Sequence, residues 1–98
     1  MEVSVERGRK AVLVRVAGRV QGVGFRVWTR GEAEKLGLTG WVRNEPDGAV
    51  KALLVGSEAA VSTMMERLRQ GPSAAAVTEL THAAAEAGDA PAGFRIAG

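Results

Sequence analysis

The sequence contains no cysteine, no tyrosine and a single histidine among its 98 residues. The absence of cysteine excludes disulfide bonds, thiolate-ligated zinc, iron–sulfur clusters and every mechanism that uses a cysteine nucleophile. His82 lies in the segment THAAA, with no carboxylate or second histidine at metal-ligand spacing. We therefore predict no metal site and no cofactor, and we expect His82 to be exposed in a loop or at the end of a strand.

Long apolar runs are also missing, and aromatic residues make up only 4% of the chain. No stretch reaches the roughly 18 apolar residues of a membrane helix and no signal peptide is apparent, so we expect a cytoplasmic protein with no membrane partner. Residues 1–10 are polar and aperiodic, which predicts a flexible N-terminal arm. Residues 11–98 are then long enough for one domain with one core.

Positive charge is concentrated in one part of a chain whose net charge is only +2. Between residues 15 and 43 the only acidic residues are Glu32 and Glu34. The basic residues of this segment are Arg15, Arg19, Arg26, Arg30, Lys35 and Arg43. Such a local field suits an anionic ligand, although charge alone favours a solvated basic surface.

Hydrophobic periodicity predicts a strand, a helix and a hairpin in the first half of the chain. Apolar residues alternate along residues 11–17, as on one face of a strand, and recur at helical spacing over residues 25–36. Residues 41–44 and 49–55 are predicted to be strands, joined by a turn at Glu45-Pro46-Asp47-Gly48.

The second half of the chain adds a helix and two strands, the last of them short. Ser57 is predicted to cap a helix whose apolar residues recur up to Leu68. Strands are predicted over residues 76–80 and 94–96, while the alanine-rich residues 83–93 are left unassigned. The order strand, helix, strand, strand, helix, strand predicts an α+β, ferredoxin-like sandwich (βαββαβ), an antiparallel sheet with both helices on one face.

The segment GRVQGVGFR, residues 18–26, follows the first predicted strand. Its three glycines permit left-handed dihedrals and close approach of a ligand, so successive N–H groups can converge on a phosphate-sized anion near a helix N-terminus. It is not a nucleotide P-loop, which needs Gly-Lys-Ser/Thr before the helix. It is not a dinucleotide fingerprint either, because that motif needs a third glycine after Gly22 and Gly24. Arg26 at the start of the helix can bind two phosphate oxygens at once, which lysine cannot do with the same geometry.

Two segments resemble the paired signatures of the acylphosphatase family. They are GRVQGVGFR at residues 18–26 and GWVRNEPDG at residues 40–48. The resemblance runs from about residue 12 to residue 72, thins over the fourth predicted strand and recovers at residues 94–96. It implies a ferredoxin-like fold, in agreement with the element order, and hydrolysis of an acyl phosphate to a carboxylate and inorganic phosphate.

The resemblance also implies roles for individual residues. The phosphate cradle is implied to be Arg19, Val20, Gln21, Gly22, Val23 and Gly24. Arg26 is implied to bind the phosphate and stabilise charge in the transition state, and Asn44 to position the attacking water. The substrate phosphate itself is implied to take the proton of the water.

Several residues near these motifs have structural interpretations. Glu45 and Asp47 are predicted to face solvent in the turn rather than to act as bases. Phe25, Trp28 and Trp41 are predicted to be core residues.

Two other functions remain open at this point. The same element order occurs in RNA-binding modules, but those stack bases on exposed aromatic side chains, and this chain has few to spare, so we expect no nucleic-acid partner. A regulatory or carbamoyl-phosphate-handling domain of the same family would keep the site and prefer another substrate. We expect a monomer that acts on a small-molecule acyl phosphate and releases phosphate.

Overall fold

Five strands and two helices account for most of the chain in the structure, a computed structural model that describes residues 9–98 apart from the side chain of Asp89. The elements are β1 (Arg9–Arg19), α1 (Phe25–Lys35), β2 (Thr39–Asn44), β3 (Val50–Ser57), α2 (Glu58–Gln70), β4 (Ala76–Ala84) and β5 (Phe94–Ile96). A single 3₁₀ turn, Ala87–Asp89, lies between β4 and β5. The predicted arm lies outside the described residues, except for Arg9 and Lys10, which begin β1.

The strands form one sheet in the order β4-β1-β3-β2-β5. The β1–β3, β1–β4 and β2–β3 pairs are antiparallel, whereas β5 pairs in parallel with β2. The predicted ferredoxin-like sandwich is confirmed, but its sheet is mixed rather than wholly antiparallel. Because β5 reaches the far edge of the sheet through the crossover at residues 85–93, it is free to run parallel to its neighbour.

Both helices bury their apolar sides against one face of the sheet. The alternation predicted for β1 is confirmed, since Val12, Val14 and Val16 are at most 3% exposed and belong to the core. Ser57 caps α2 as predicted, because its Oγ accepts a hydrogen bond of 3.1 Å from the N–H of Ala60. Neither α1 nor α2 has the length and apolar character needed to cross a membrane.

The strand β4 extends further than predicted, to Ala84. It is an edge strand whose second half is exposed on both faces. Apolar and polar residues therefore do not alternate in that half, and the sequence gives no strand signal there. His82 lies on this strand and is exposed, as predicted.

A glycine is required at position 40 in β2 because the backbone of β3 lies too close for a side chain. Replacing Gly40 is therefore expected to destabilise the fold strongly. Its φ is +138°, and a Cβ atom there would lie 1.8 Å from the carbonyl oxygen of Leu53. Gly40→Ala is therefore expected to lower the free energy of unfolding by at least about 2 kcal/mol, measured by urea unfolding.

Gly31→Ala is the matched control for this substitution. Gly31 lies inside α1, where a Cβ atom would meet nothing within 4 Å. Since alanine is a better helix former than glycine by about 1 kcal/mol, this variant is expected to be as stable as the parent or more stable. Similar losses of unfolding free energy in Gly40→Ala and Gly31→Ala would contradict the close approach of β3 to Gly40.

Candidate active site

The loop between β1 and α1 is anchored by its apolar residues and open at its glycines. The side chain of Val20 is 1% exposed in the core, and Val23 packs against the core. Gly22 and Gly24 are exposed, with φ of +75° and +77°. Arg19 is exposed at the end of β1. Val20 and Val23 can therefore bind a ligand only through their main-chain atoms.

The main chain of this loop has unused hydrogen-bond donors. Within residues 9–98, the N–H groups of residues 21–25 donate to no backbone or side-chain acceptor. Gly24 is the N-cap of α1 and has no side chain to cap it, and the first turn of α1 contains no acidic residue. The free N–H groups and the positive end of the helix dipole are thus both available to an anion from solvent.

Arg26 is the second residue of α1 and lies beside this loop. Its Nη1 donates a hydrogen bond of 3.0 Å to the main-chain oxygen of Gly98, beyond the end of β5. No other hydrogen bond or ion pair of Arg26 is formed with a described residue, so most of its five N–H donors stay free. A cation at a helix N-terminus is opposed by the helix dipole, so helix stability does not explain this arginine.

Asn44 lies at the same end of the sheet as the loop. It is the last residue of β2 and pairs with Val50 of β3, which in turn pairs with Val16 near the end of β1. Its Oδ1 is buried and has no hydrogen-bond partner within the described part of the chain. An unpaired buried carbonyl costs about 1–3 kcal/mol, so this oxygen is a ready acceptor for a water molecule or a ligand.

Gln21 connects the loop to the turn that follows Asn44. Its Nε2 donates two hydrogen bonds of 2.9 Å, to the carbonyl oxygens of Glu45 and Ala49. The side chain is therefore directed at the turn, while its main chain remains part of the loop. These two bonds fix the position of the loop relative to the end of β2.

The two acidic residues of the turn are each held by an arginine. Arg43 Nε lies 2.7 Å from Glu45 Oε2, and Arg15 pairs with Asp47. The hydrogen bond from the N–H of Ala49, together with Arg15, holds the pKa of Asp47 below its usual value. Asp47 is exposed as predicted, but Glu45 is partly buried, because it covers the guanidinium of Arg43.

Removing the amide of Gln21 is expected to weaken the fold around the site. Gln21→Leu keeps most of the side-chain volume but removes one of the two donors to each carbonyl, leaving Glu45 with the N–H of Gly48 and Ala49 with the N–H of Glu45. We expect the free energy of unfolding to fall by about 1–2 kcal/mol in a urea titration. Gln70→Leu, at an exposed position at the end of α2, is the control and is expected to change stability by less than about 0.5 kcal/mol. Equal free energies of unfolding of Gln21→Leu and Gln70→Leu would show that the hydrogen bonds of Gln21 to the turn do not stabilise the fold.

Two features of the site had little signal in the sequence. Gly98 reaches Arg26 from the other end of the chain, and no local pattern predicts that contact. Thr29 is fully buried on the core side of α1, and its Oγ1 has no partner among residues 9–98. A polar residue four positions after Phe25, on the apolar side of the helix, was the signal for it. Within the described residues, no three His, Asp or Glu side chains cluster as metal ligands would.

Comparisons with known proteins agree on one family. The sequence model of the acylphosphatase family matches residues 12–96. An acylphosphatase of Rhizobium etli is 56% identical over 91% of this chain and 95% of its own length, and one of Mesorhizobium japonicum is 59% identical over 90% and 94%. The solved acylphosphatase of Coxiella burnetii is 36% identical, with a TM-score of 0.88 over 94% of this chain and 96% of that one. The chain therefore belongs to the acylphosphatase family and is a hydrolase that acts on acid anhydrides.

Proposed function

We propose that the loop at residues 19–24 binds the phosphate of an acyl phosphate, and that Arg26 and Asn44 are the catalytic residues of its hydrolysis. The observation that carries this proposal is that three groups with unused hydrogen-bonding capacity lie at one end of the sheet. They are the free N–H groups of the loop, the guanidinium of Arg26 and the buried Oδ1 of Asn44.

The phosphate is held by main-chain donors and one cation. In this proposal the N–H groups around Gly22 and Gly24 bind a single anion next to the N-terminus of α1, which begins at Phe25. Arg26 adds a forked pair of donors to the same phosphate. Because these donors are positioned by the fold before the substrate binds, they stabilise charge on the phosphoryl oxygens without reorganisation.

The reaction needs a positioned water molecule and a good leaving group. Asn44 Oδ1 accepts a hydrogen bond from the water, whose oxygen forms a bond to phosphorus as the bond from phosphorus to the acyl oxygen breaks. The carboxylate leaves with the electron pair, and one water proton passes to a phosphate oxygen. Phosphoryl transfer of this kind depends mainly on positioning and on charge stabilisation.

No protein acid or base is required in this scheme. A carboxylic acid has a pKa of about 4, so the leaving carboxylate departs without being protonated. Glu45 and Asp47, the carboxylates nearest to Asn44 in the sequence, are both engaged by arginines and are poorly placed to take the water proton. The phosphate oxygens of the substrate are then the proton acceptors.

The proposal is tested by phosphate release from benzoyl phosphate in excess chelator, with phenyl phosphate measured alongside. We expect rapid cleavage of the acyl phosphate, unchanged by the chelator, and no cleavage of the monoester, because phenolate is a much poorer leaving group than a carboxylate. Cleavage that required an added metal would overturn the scheme. A folded protein that bound phosphate but cleaved neither compound would show that the loop only binds.

A further inference from the structure

The sheet face opposite the helices carries its side chains in ordered rows. Strands β1, β3 and β2 are adjacent, and their registers place three residues side by side in each row. The first row, which we name the cation row, is Arg15, Lys51 and Arg43. The second row, which we name the apolar row, is Leu13, Leu53 and Trp41. Neighbouring rows are about 7 Å apart, because alternate residues of a strand share a face.

The cation row is an unusual arrangement, since like charges directly opposite each other on neighbouring strands destabilise a sheet. Arg15 is paired with Asp47, and Arg43 with Glu45. Lys51, between them, has no carboxylate within 4.0 Å among the described residues. The centre of the row therefore has a positive charge without a protein partner.

Two adjoining depressions lie over these rows. One, of about 320 Å³, is lined by Leu13, Leu53, Trp41, Ala85 and Glu86. The other, of about 250 Å³, shares Leu13 and continues between β1 and β4 to the cation row, where it is lined by Arg15 and Lys51 and, on β4, by Thr81 and His82. Leu53 is 3% exposed and forms the floor. The combined groove has apolar walls along the apolar row and polar walls, with Lys51, at the end formed by the cation row.

We propose that this groove binds a medium-chain monocarboxylate, with its carboxylate on Lys51 and its hydrocarbon chain along the apolar row. The cation without a partner selects for a negative charge at one end, and the apolar walls select for a chain without polar groups. Glu86 lines the far end, so a second carboxylate on the ligand would be repelled there. The guanidinium of Arg43 lies over the Trp41 ring, 4.6 Å from its centroid, and so leaves little ring surface for a stacked nucleic-acid base.

This groove is separate from the catalytic loop. Its rows alternate along the strands with the core residues that face the helices, such as Val14 and Ala52, whereas Arg26 lies on α1. Binding can therefore be measured without substrate. A buffer of inorganic phosphate keeps the catalytic loop occupied, so that a carboxylate bound at Arg26 does not contribute to the signal.

The proposal is tested by titrating decanoate, below its micelle concentration, into a Trp28→Phe variant in which Trp41 is the only tryptophan. We expect a saturable change in Trp41 fluorescence. Octanoate is expected to bind about tenfold more weakly, because two fewer methylenes are buried. Decan-1-ol, which lacks the charge, and decanedioate, which meets Glu86, are both expected to bind less tightly than decanoate.

Charge variants locate the site. Lys51→Ala is expected to weaken decanoate binding about tenfold, whereas Lys35→Ala, on the outer side of α1, leaves it unchanged. Leu13→Ala, at a position that is only partly buried, is expected to weaken binding severalfold in a protein shown to be folded by circular dichroism. Equal binding by Lys51→Ala and the parent, equal binding of decanol and decanoate, or no saturable signal would each overturn the proposal.

Discussion

Arg26→Ala is expected to reduce the turnover of an acyl phosphate by at least about 10²-fold while the protein remains folded, because it removes a donor aimed at the charge of the transition state. The only hydrogen bond or ion pair of Arg26 within the described residues is the bond to Gly98, so we expect its loss to change the free energy of unfolding by only about 1 kcal/mol. Steady-state kinetics and thermal unfolding of the same preparation measure both effects.

Arg26→Lys separates charge from geometry at this position. Lysine keeps the positive charge but presents one ammonium group in place of a planar fork, so we expect a loss close to that of Arg26→Ala. Arg30→Ala removes a cation one helical turn further along α1 and is the control, with turnover expected within about threefold of the parent. Near-full activity of Arg26→Lys would show that two-point binding of the phosphate is wrong.

Asn44→Ala is expected to reduce turnover by about 10²-fold and to leave phosphate binding nearly unchanged, because the proposed partner of Asn44 is the water rather than the phosphate. Stability gives a second readout. Since Oδ1 is buried without a partner among the described residues, replacing Asn44 is expected to leave the free energy of unfolding unchanged or to raise it. A residue that served the fold would show the opposite pattern, with lost stability and retained turnover.

Inhibition by inorganic phosphate distinguishes a role of Asn44 in positioning the water from a role in binding the phosphate. We expect the inhibition constant of Asn44→Ala to lie within about threefold of the parent, while kcat falls. Asn44→Asp keeps an acceptor oxygen but adds a negative charge next to the bound phosphate, so its inhibition constant is expected to rise. A weaker phosphate affinity in Asn44→Ala that accounted for the whole loss of activity would remove the proposed contact with water.

The sequence predicted the local elements well because each has a local cause. The alternation at Val12, Val14 and Val16, the cap at Ser57 and the Glu45–Gly48 turn are all set by neighbouring residues. The loop glycines and Arg26 were recognisable for the same reason, since they lie together in nine residues. The roles of Arg26 and Asn44 came from the family resemblance and remain predictions.

Long-range relations were harder to predict. The parallel pairing of β5, the bond from Arg26 to Gly98 and the bonds from Gln21 to the turn all join distant parts of the chain. Trp41 was predicted to be a core residue, which is wrong, because it lies on the sheet face opposite the helices and is partly exposed. Its apolar character alone could not show which face of the sheet it occupies, since both faces carry apolar residues.

The position of β1 in the sheet has a consequence for how the chain folds. β1 is the first strand of residues 9–98, yet its partners are β3 and β4, and Val12 pairs with both Leu54 and Ala84. Each of these pairings closes a long loop, and such closures slow folding relative to hairpin formation. During synthesis one edge of β1 stays unpaired until β3 has emerged, and the other stays unpaired until β4 has emerged late in the chain. Its apolar side is then open to other chains, so nascent molecules are more prone to aggregate than the finished sheet.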